Sequence, residues 1–133
     1  MGSSNSRTEY HCKWKSQTWC ECGASNFRAI KIMWRTHGGI ADPLHHSVVV
    51  IYKCDKCGGG EYWVTYELSK DGKESSKGHY IYYRECVGSA EINLSYSAVY
   101  KVYEAMSDCY SAVYYNCSTF ASDFYGRVLR ANE

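Results

Sequence analysis

The chain of 133 residues has one proline and eleven glycines, which argues against disorder. It has no apolar run near the roughly 18–20 residues that a membrane-spanning helix needs. The opening stretch, Met1 to Tyr10, is polar and lacks the apolar core of a secretory signal. A net charge of +1, with no basic stripe, gives no electrostatic footprint for nucleic acid, so a nucleic-acid partner is not expected. No internal repeat is visible, nor any linker long enough to separate domains. What is abundant is tyrosine, fourteen residues of it, with four tryptophans. Tyrosine buries a ring and keeps a wet hydroxyl, so such a chain can build a core with many polar rims. Eight cysteines without a leader point to a reducing compartment, where thiols serve metals or catalysis more often than disulfides. The expected localisation is cytoplasmic.

Met1-Gly2-Ser3-Ser4-Asn5-Ser6 fits the N-myristoylation pattern, with Ser at the sixth position. A vector-derived leader or chance would give the same letters. One acyl chain would attach the protein to a membrane only peripherally, and Arg7, Lys13 and Lys15 add little basic support.

Residues 1–10 read as a flexible arm, and 11–133 as one domain. Phe27 to Thr36 alternates as a strand, with Ile30, Ile32 and Trp34 on one face and Ala29, Lys31 and Met33 on the other. Gly38-Gly39 and Asp42-Pro43 mark a loop. His45 to Lys53 carries Val48-Val49-Val50-Ile51-Tyr52, a β-branched run typical of a buried strand. Cys54 to Gly60 turns the chain and Glu61 to Ser69 returns as the other arm of a hairpin. Lys70 to Lys73 is a further turn, and His79 to Arg84 is the next predicted strand. From about Ser95 the period becomes helical, through Ala98, Val99, Val102, Tyr103, Ala105 and Met106. A second helix is predicted over Cys117 to Arg130, with Phe120, Phe124 and Val128 on the face of Cys117. Strands first and helices last predict an α+β fold: a small antiparallel sheet packed against C-terminal helices.

Asn116 is a good N-cap, which puts Cys117 in the first helical turn. The partial positive charge there stabilises a thiolate, and a nearby histidine would lower the thiol pKa further and carry the proton. His45, at the start of the buried strand, can supply that group if the helix packs across the hairpin. The alternative is a buried core cysteine and a loop histidine.

Asn116-Cys117-Ser118-Thr119-Phe120 resembles the Asn-Cys-x-x-Phe helix start of the PPPDE (DeSI-type) thiol peptidases and of the lecithin:retinol acyltransferase-like proteins. His45-His46-Ser47-Val48-Val49-Val50 resembles the first-strand motif of both: histidine, any residue, a small residue, then three apolar ones. That register selects His45, with His46 as the fallback. The resemblance implies a circularly permuted papain-like (NlpC-type) fold over roughly residues 27 to 131, histidine first and cysteine last. It also implies a cysteine hydrolase or acyltransferase. Acyltransferase-like members carry a second histidine at the end of the returning strand; here that place holds Thr65-Tyr66-Glu67-Leu68, so Glu67 is the candidate third residue. The peptidase likeness implies a peptide or isopeptide substrate, and the acyltransferase likeness an acyl-lipid donor. Acyltransferase-like enzymes often carry a hydrophobic tail, and the end at Glu133 tilts the expectation to the peptidase side.

Cys20-Glu21-Cys22-Gly23 and Cys54-Asp55-Lys56-Cys57-Gly58 look like two metal-binding knuckles that together offer Zn four thiolates. If their strands pair antiparallel, both knuckles meet at one end of the sheet and His45 lies at the other. The zinc would be structural and remote from the thiol, with no cofactor required for the chemistry. Unrelated surface thiols or a redox-active Cys54/Cys57 pair are the rival readings, and His11 and Cys12 are substitute ligands. Cys86 and Cys109 are read as structural. A non-catalytic, zinc-stabilised binding or adaptor module on the same fold is the rival function.

Overall fold

A computed structural model of the chain describes residues 13–38 and 44–133. The expected arm at residues 1–10, Gly2, the substitute ligands His11 and Cys12, and most of the expected loop at 38–43 lie outside the described residues. The order of elements is β1 (Trp14–Ser16), a single 3-10 turn (Ala24–Asn26), β2 (Phe27–His37), β3 (His45–Cys54), β4 (Glu61–Ser69), β5 (Gly72–Tyr80), β6 (Glu85–Ser95), α1 (Tyr96–Ala105) and α2 (Cys117–Ala131). The strands form one six-stranded antiparallel sheet in the order β1-β5-β4-β3-β2-β6. The architecture is α+β, with the two helices on one sheet face.

The β-branched run of β3 sits at the middle of the sheet, where both faces are covered; Val48, Val49, Val50, Ile51 and Tyr52 are all buried. Its even-numbered side chains join the main core, formed with Ala29, Ile32, Val64, Tyr66, Leu68, Val99, Phe120, Phe124 and Val128. Steps of four put Phe120, Phe124 and Val128 in one stripe, and this stripe holds α2 against β3 and β4. The odd-numbered side chains Val49 and Ile51 join Met33 in a smaller cluster on the other face.

The simple alternation expected for β2 fails at its start. A bulge between Ala29 and Lys31 inserts Ile30 as an extra residue against β3. Ala29 therefore shares the helix-side core with Ile32, and Ile30 packs with Met33. The strand expected over His79–Arg84 is corrected too. The turn at Lys70-Asp71 starts β5 at Gly72 and the strand ends at Tyr80, so Ile81, Tyr82 and Tyr83 fall in an irregular, exposed connection. Hairpin geometry, not apolar content, places this strand. β1 and β6 had no counterpart in the sequence reading.

The chain seals α1 with a residue from the sheet. Lys73 Nζ donates to the carbonyls of Tyr103, Glu104 and Met106 at 2.9, 3.0 and 2.8 Å, and lies 4.8 Å from the Tyr103 ring. An ammonium on the last carbonyls of a helix completes their hydrogen bonds and opposes the negative end of the dipole.

Candidate active site and metal centre

Cys117 opens α2. Asn116 caps the helix: its side-chain oxygen accepts from Ser118 and Thr119 N–H, while Thr119 Oγ1 accepts from Asn116 N–H at 2.7 Å. This reciprocal cap fixes the first turn and so the direction of the Cys117 side chain. The half-buried sulfur lies over the start of β3, 4.0 Å from Leu44 O.

His45 is buried at that strand start. Its Nε2–H donates to Glu67 Oε1 at 2.6 Å, and Tyr80 Oη donates to the same oxygen at 2.8 Å. With Nε2 engaged by the carboxylate, Nδ1 is the nitrogen left to face the thiol, and a side-chain hydrogen bond joins His45 to Cys117. Burial alone would lower the His45 pKa. The hydrogen bonds to Cys117 and Glu67, and their negative charges, outweigh it and raise the value from 6.5 to about 9. Burial likewise opposes ionisation of Cys117, but the His45 hydrogen bond and charge, with backbone N–H groups of His46 and Cys117, bring the thiol below its ordinary 9.0. Both shifts run in the direction that favours a thiolate–imidazolium pair, and the buried Glu67 carboxylate braces the imidazole.

The structure therefore brings Cys117, His45 and Glu67 together. Neighbouring residues on β4 point to opposite faces, so Glu67 leaves the helix-side core of Tyr66 and Leu68 for the face of His45. His46 turns the other way, where Trp34 Nε1 donates to its Nδ1 at 3.0 Å.

Two buried residues of the site were not singled out from the sequence. Tyr80 holds Glu67 from the last residue of β5, a position that the apolar run continuing to Tyr83 does not distinguish. His37 lies directly opposite His45 in the β2–β3 ladder, with ring centroids 6.1 Å apart. Burial and the His45 charge push its pKa down to about 4, so the ring is neutral. Its Nδ1–H then donates to Tyr82 O at 3.2 Å, and its Nε2 accepts from Ser47 Oγ at 2.8 Å. Strand pairing was the available clue, since His37 ends β2 and His45 begins β3, which makes them partners across the connection.

The four knuckle cysteines meet at the other end of the same strands, where Phe27 pairs with Cys54. The sulfurs of Cys20, Cys22, Cys54 and Cys57 all lie within 4.8 Å of one another. Sulfurs bound tetrahedrally to zinc at about 2.3 Å stand about 3.8 Å apart, so this donor set needs only a small contraction to hold such an ion. Gly23 and Gly58, at φ 98° and 64°, follow the knuckles in a conformation that a side chain would strain. In the second knuckle the turn aims a backbone N–H at sulfur, Cys57 N–H toward Cys54 Sγ at 3.5 Å. The loops are also tied to each other, by Asp55 N–H donating to Asn26 O at 2.8 Å and by Arg28 Nη2 on Asp55 Oδ1 at 3.1 Å. Nine residues of extended chain, about 30 Å, separate Cys54 from His45. The expected structural role of Cys86 and Cys109 is corrected: both are exposed. Cys86 lies near the start of the edge strand β6 and Cys109 in the connection between α1 and α2, outside the core.

Compared with protein-family models, with curated proteins and with solved structures, the chain gives no match. The functional reading rests on the residues themselves.

Proposed function

We propose that this chain is a cysteine-dependent hydrolase or acyltransferase of the circularly permuted papain-like class, with Cys117 as nucleophile, His45 as acid and base, and Glu67 as the group that orients His45. The observation that carries it is the continuous chain of contacts from the half-buried Cys117 through the buried His45 to the buried Glu67, which lowers the thiol pKa. The Cys117 thiolate attacks an amide, ester or thioester carbonyl. The oxyanion receives backbone N–H donation at the helix start, including that of Cys117. The imidazolium Nδ1–H of His45 protonates the departing amine, alcohol or thiol, which leaves a thioester on Cys117. His45, now neutral, takes a proton from water or an acyl acceptor as it attacks that thioester, and Cys117 is released. Glu67 keeps Nε2–H directed at itself, and so keeps Nδ1 toward the sulfur through both halves.

The proposed substrates are a peptide, an isopeptide or an acyl lipid. The proposed metal is one structural zinc on Cys20, Cys22, Cys54 and Cys57, which would brace the far end of the sheet. Among the described residues no helix is long and apolar enough to cross a membrane. Cytoplasmic placement, with peripheral membrane attachment through a myristoylated Gly2, belongs to the same proposal.

The test is intact-mass detection of an acyl adduct on Cys117 after brief exposure to panels of ubiquitin-like C-terminal thioesters, peptide esters and acyl-lipid esters. An adduct that is absent in Cys117→Ser and turns over in the wild type supports the reading. The panel that delivers it names the substrate class. No adduct from any panel contradicts it and favours the binding module.

A further inference from the structure

Arg35 sits on β2 between Met33 and His37, on the sheet face away from the helices, with Ser47 and Cys86 as its ladder partners. It is only 8% exposed. An arginine so deeply buried ordinarily has a carboxylate beside it, because an isolated charge is costly to remove from water. Here the ion pairs among the described residues are Arg28–Asp55, His45–Glu67 and Arg127–Asp123, and Arg35 is in none of them. Its cation is met by two aromatic faces instead. The guanidinium carbon lies 4.1 Å from the centroid of Tyr83 and 5.4 Å from that of Trp63.

Ring faces stabilise the charge but accept little from N–H donors that radiate in the guanidinium plane. Nη2 reaches the thioether of Met33 at 3.8 Å, a weak acceptor, and Nε has no acceptor among the described residues. Burial, and to a lesser degree the Arg35 charge, lowers the pKa values of His37 and His79, so neither neighbour offers the guanidinium an opposite charge. The cover is thin. Tyr83 is 47% exposed and belongs to the irregular connection after β5, so its ring is a lateral shield rather than part of the core.

We propose that Arg35 is the anchor of a small-oxyanion site, in which a carboxylate or phosphate enters beside the exposed Tyr83 and presents two oxygens to the Nε–Nη2 edge of the guanidinium, where the buried Nε has no acceptor and Nη2 has only the Met33 thioether, with Trp63 and Tyr83 flanking the cation. The match is one of shape as well as charge, because the planar fork accepts paired oxygens in two parallel hydrogen bonds. The site uses none of Cys117, His45 or Glu67, so it stands or falls independently of the thiol chemistry.

Titration of uniformly 15N-labelled full-length protein with sodium phosphate or sodium acetate, against sodium chloride at equal ionic strength, tests it. The observed signal is the Arg35 side-chain Nε–H resonance, identified by its loss in Arg35→Lys. The expected result is a saturable shift of that resonance with phosphate or acetate, accompanied by a rise in Tm that Arg35→Met abolishes. Saturation by acetate alone marks a carboxylate ligand, and saturation by phosphate a phosphoryl group. If Arg35→Met does not fold, the wild-type titration decides by itself. A resonance that moves with neither anion beyond the chloride control, or a Tm rise that persists in Arg35→Met, overturns the proposal.

Discussion

Replacing Glu67 by glutamine keeps an oxygen that can accept from His45 and Tyr80 and removes only the charge. The rise of His45 from 6.5 to about 9 is a proton held roughly 300-fold more tightly, or about 3 kcal/mol. Burial opposes that rise, so the favourable contributions of Cys117 and Glu67 together exceed the net figure. An opposite charge in direct contact moves a pKa by about 1–3 units, and Cys117 remains in the variant, so the expected fall is about 1–2 pH units. The same factor, about 10- to 100-fold, comes off the equilibrium between thiolate–imidazolium and thiol–imidazole. The assay is an NMR pH titration of the His45 ring protons, followed by alkylation of Cys117 at neutral pH. The expected outcome is a lower His45 midpoint and about tenfold slower alkylation. A midpoint unchanged from the wild type, in a variant that still folds, would refute the claim that Glu67 carries this part of the pair's energetics.

The two facing histidines give stability opposite pH dependences. His37, neutral in the fold with a pKa near 4, contributes stability that is present above 6.5 and lost as pH falls toward about 4. His45 contributes stability that is present below 6.5 and lost as pH rises through about 9. Urea midpoints measured from pH 4 to 9.5 should fall on both sides, and His37→Gln should flatten the acid side alone. The purified chain should carry one zinc, and Cys22→Ser should lose it and lower Tm while leaving the Cys117 alkylation profile unchanged, because the two centres lie about 30 Å apart. Atomic absorption and differential scanning calorimetry check this. Lys73→Met should cost about 1–3 kcal/mol in urea denaturation by leaving the end of α1 uncapped, again with no change at Cys117.

Much of this arrangement was legible because it is written in local chemistry. Asn116 announces the start of α2 through its own side chain, and the β-branched run of β3 marks the most buried strand. Antiparallel pairing of β2 and β3 then sends the cysteine knuckles and His45 to opposite ends, whatever the details. What escaped the sequence depends on non-local pairing. β5 is polar through Gly72–Lys77 and owes its place to the turn before it and to hydrogen bonds with β4. β6 buries only Ile92 and forms one edge of the sheet, so its letters carry little periodic signal. The bulge at Ile30 reverses faces without changing composition. His37 and Tyr80 became visible only once those strands were aligned. The fold's core was thus readable from burial patterns, whereas the inner polar network required registers.

The central claim is that Cys117 is a thiolate because His45 is beside it. Iodoacetamide labelling across pH 5–10, mapped by mass spectrometry in the wild type and in His45→Ala, tests this most directly. The account predicts that Cys117 labels faster than the exposed Cys86 and Cys109, with an apparent pKa below its ordinary 9.0, and that His45→Ala abolishes the advantage. Labelling of Cys117 no faster than those two thiols, or unchanged by loss of His45, would contradict it.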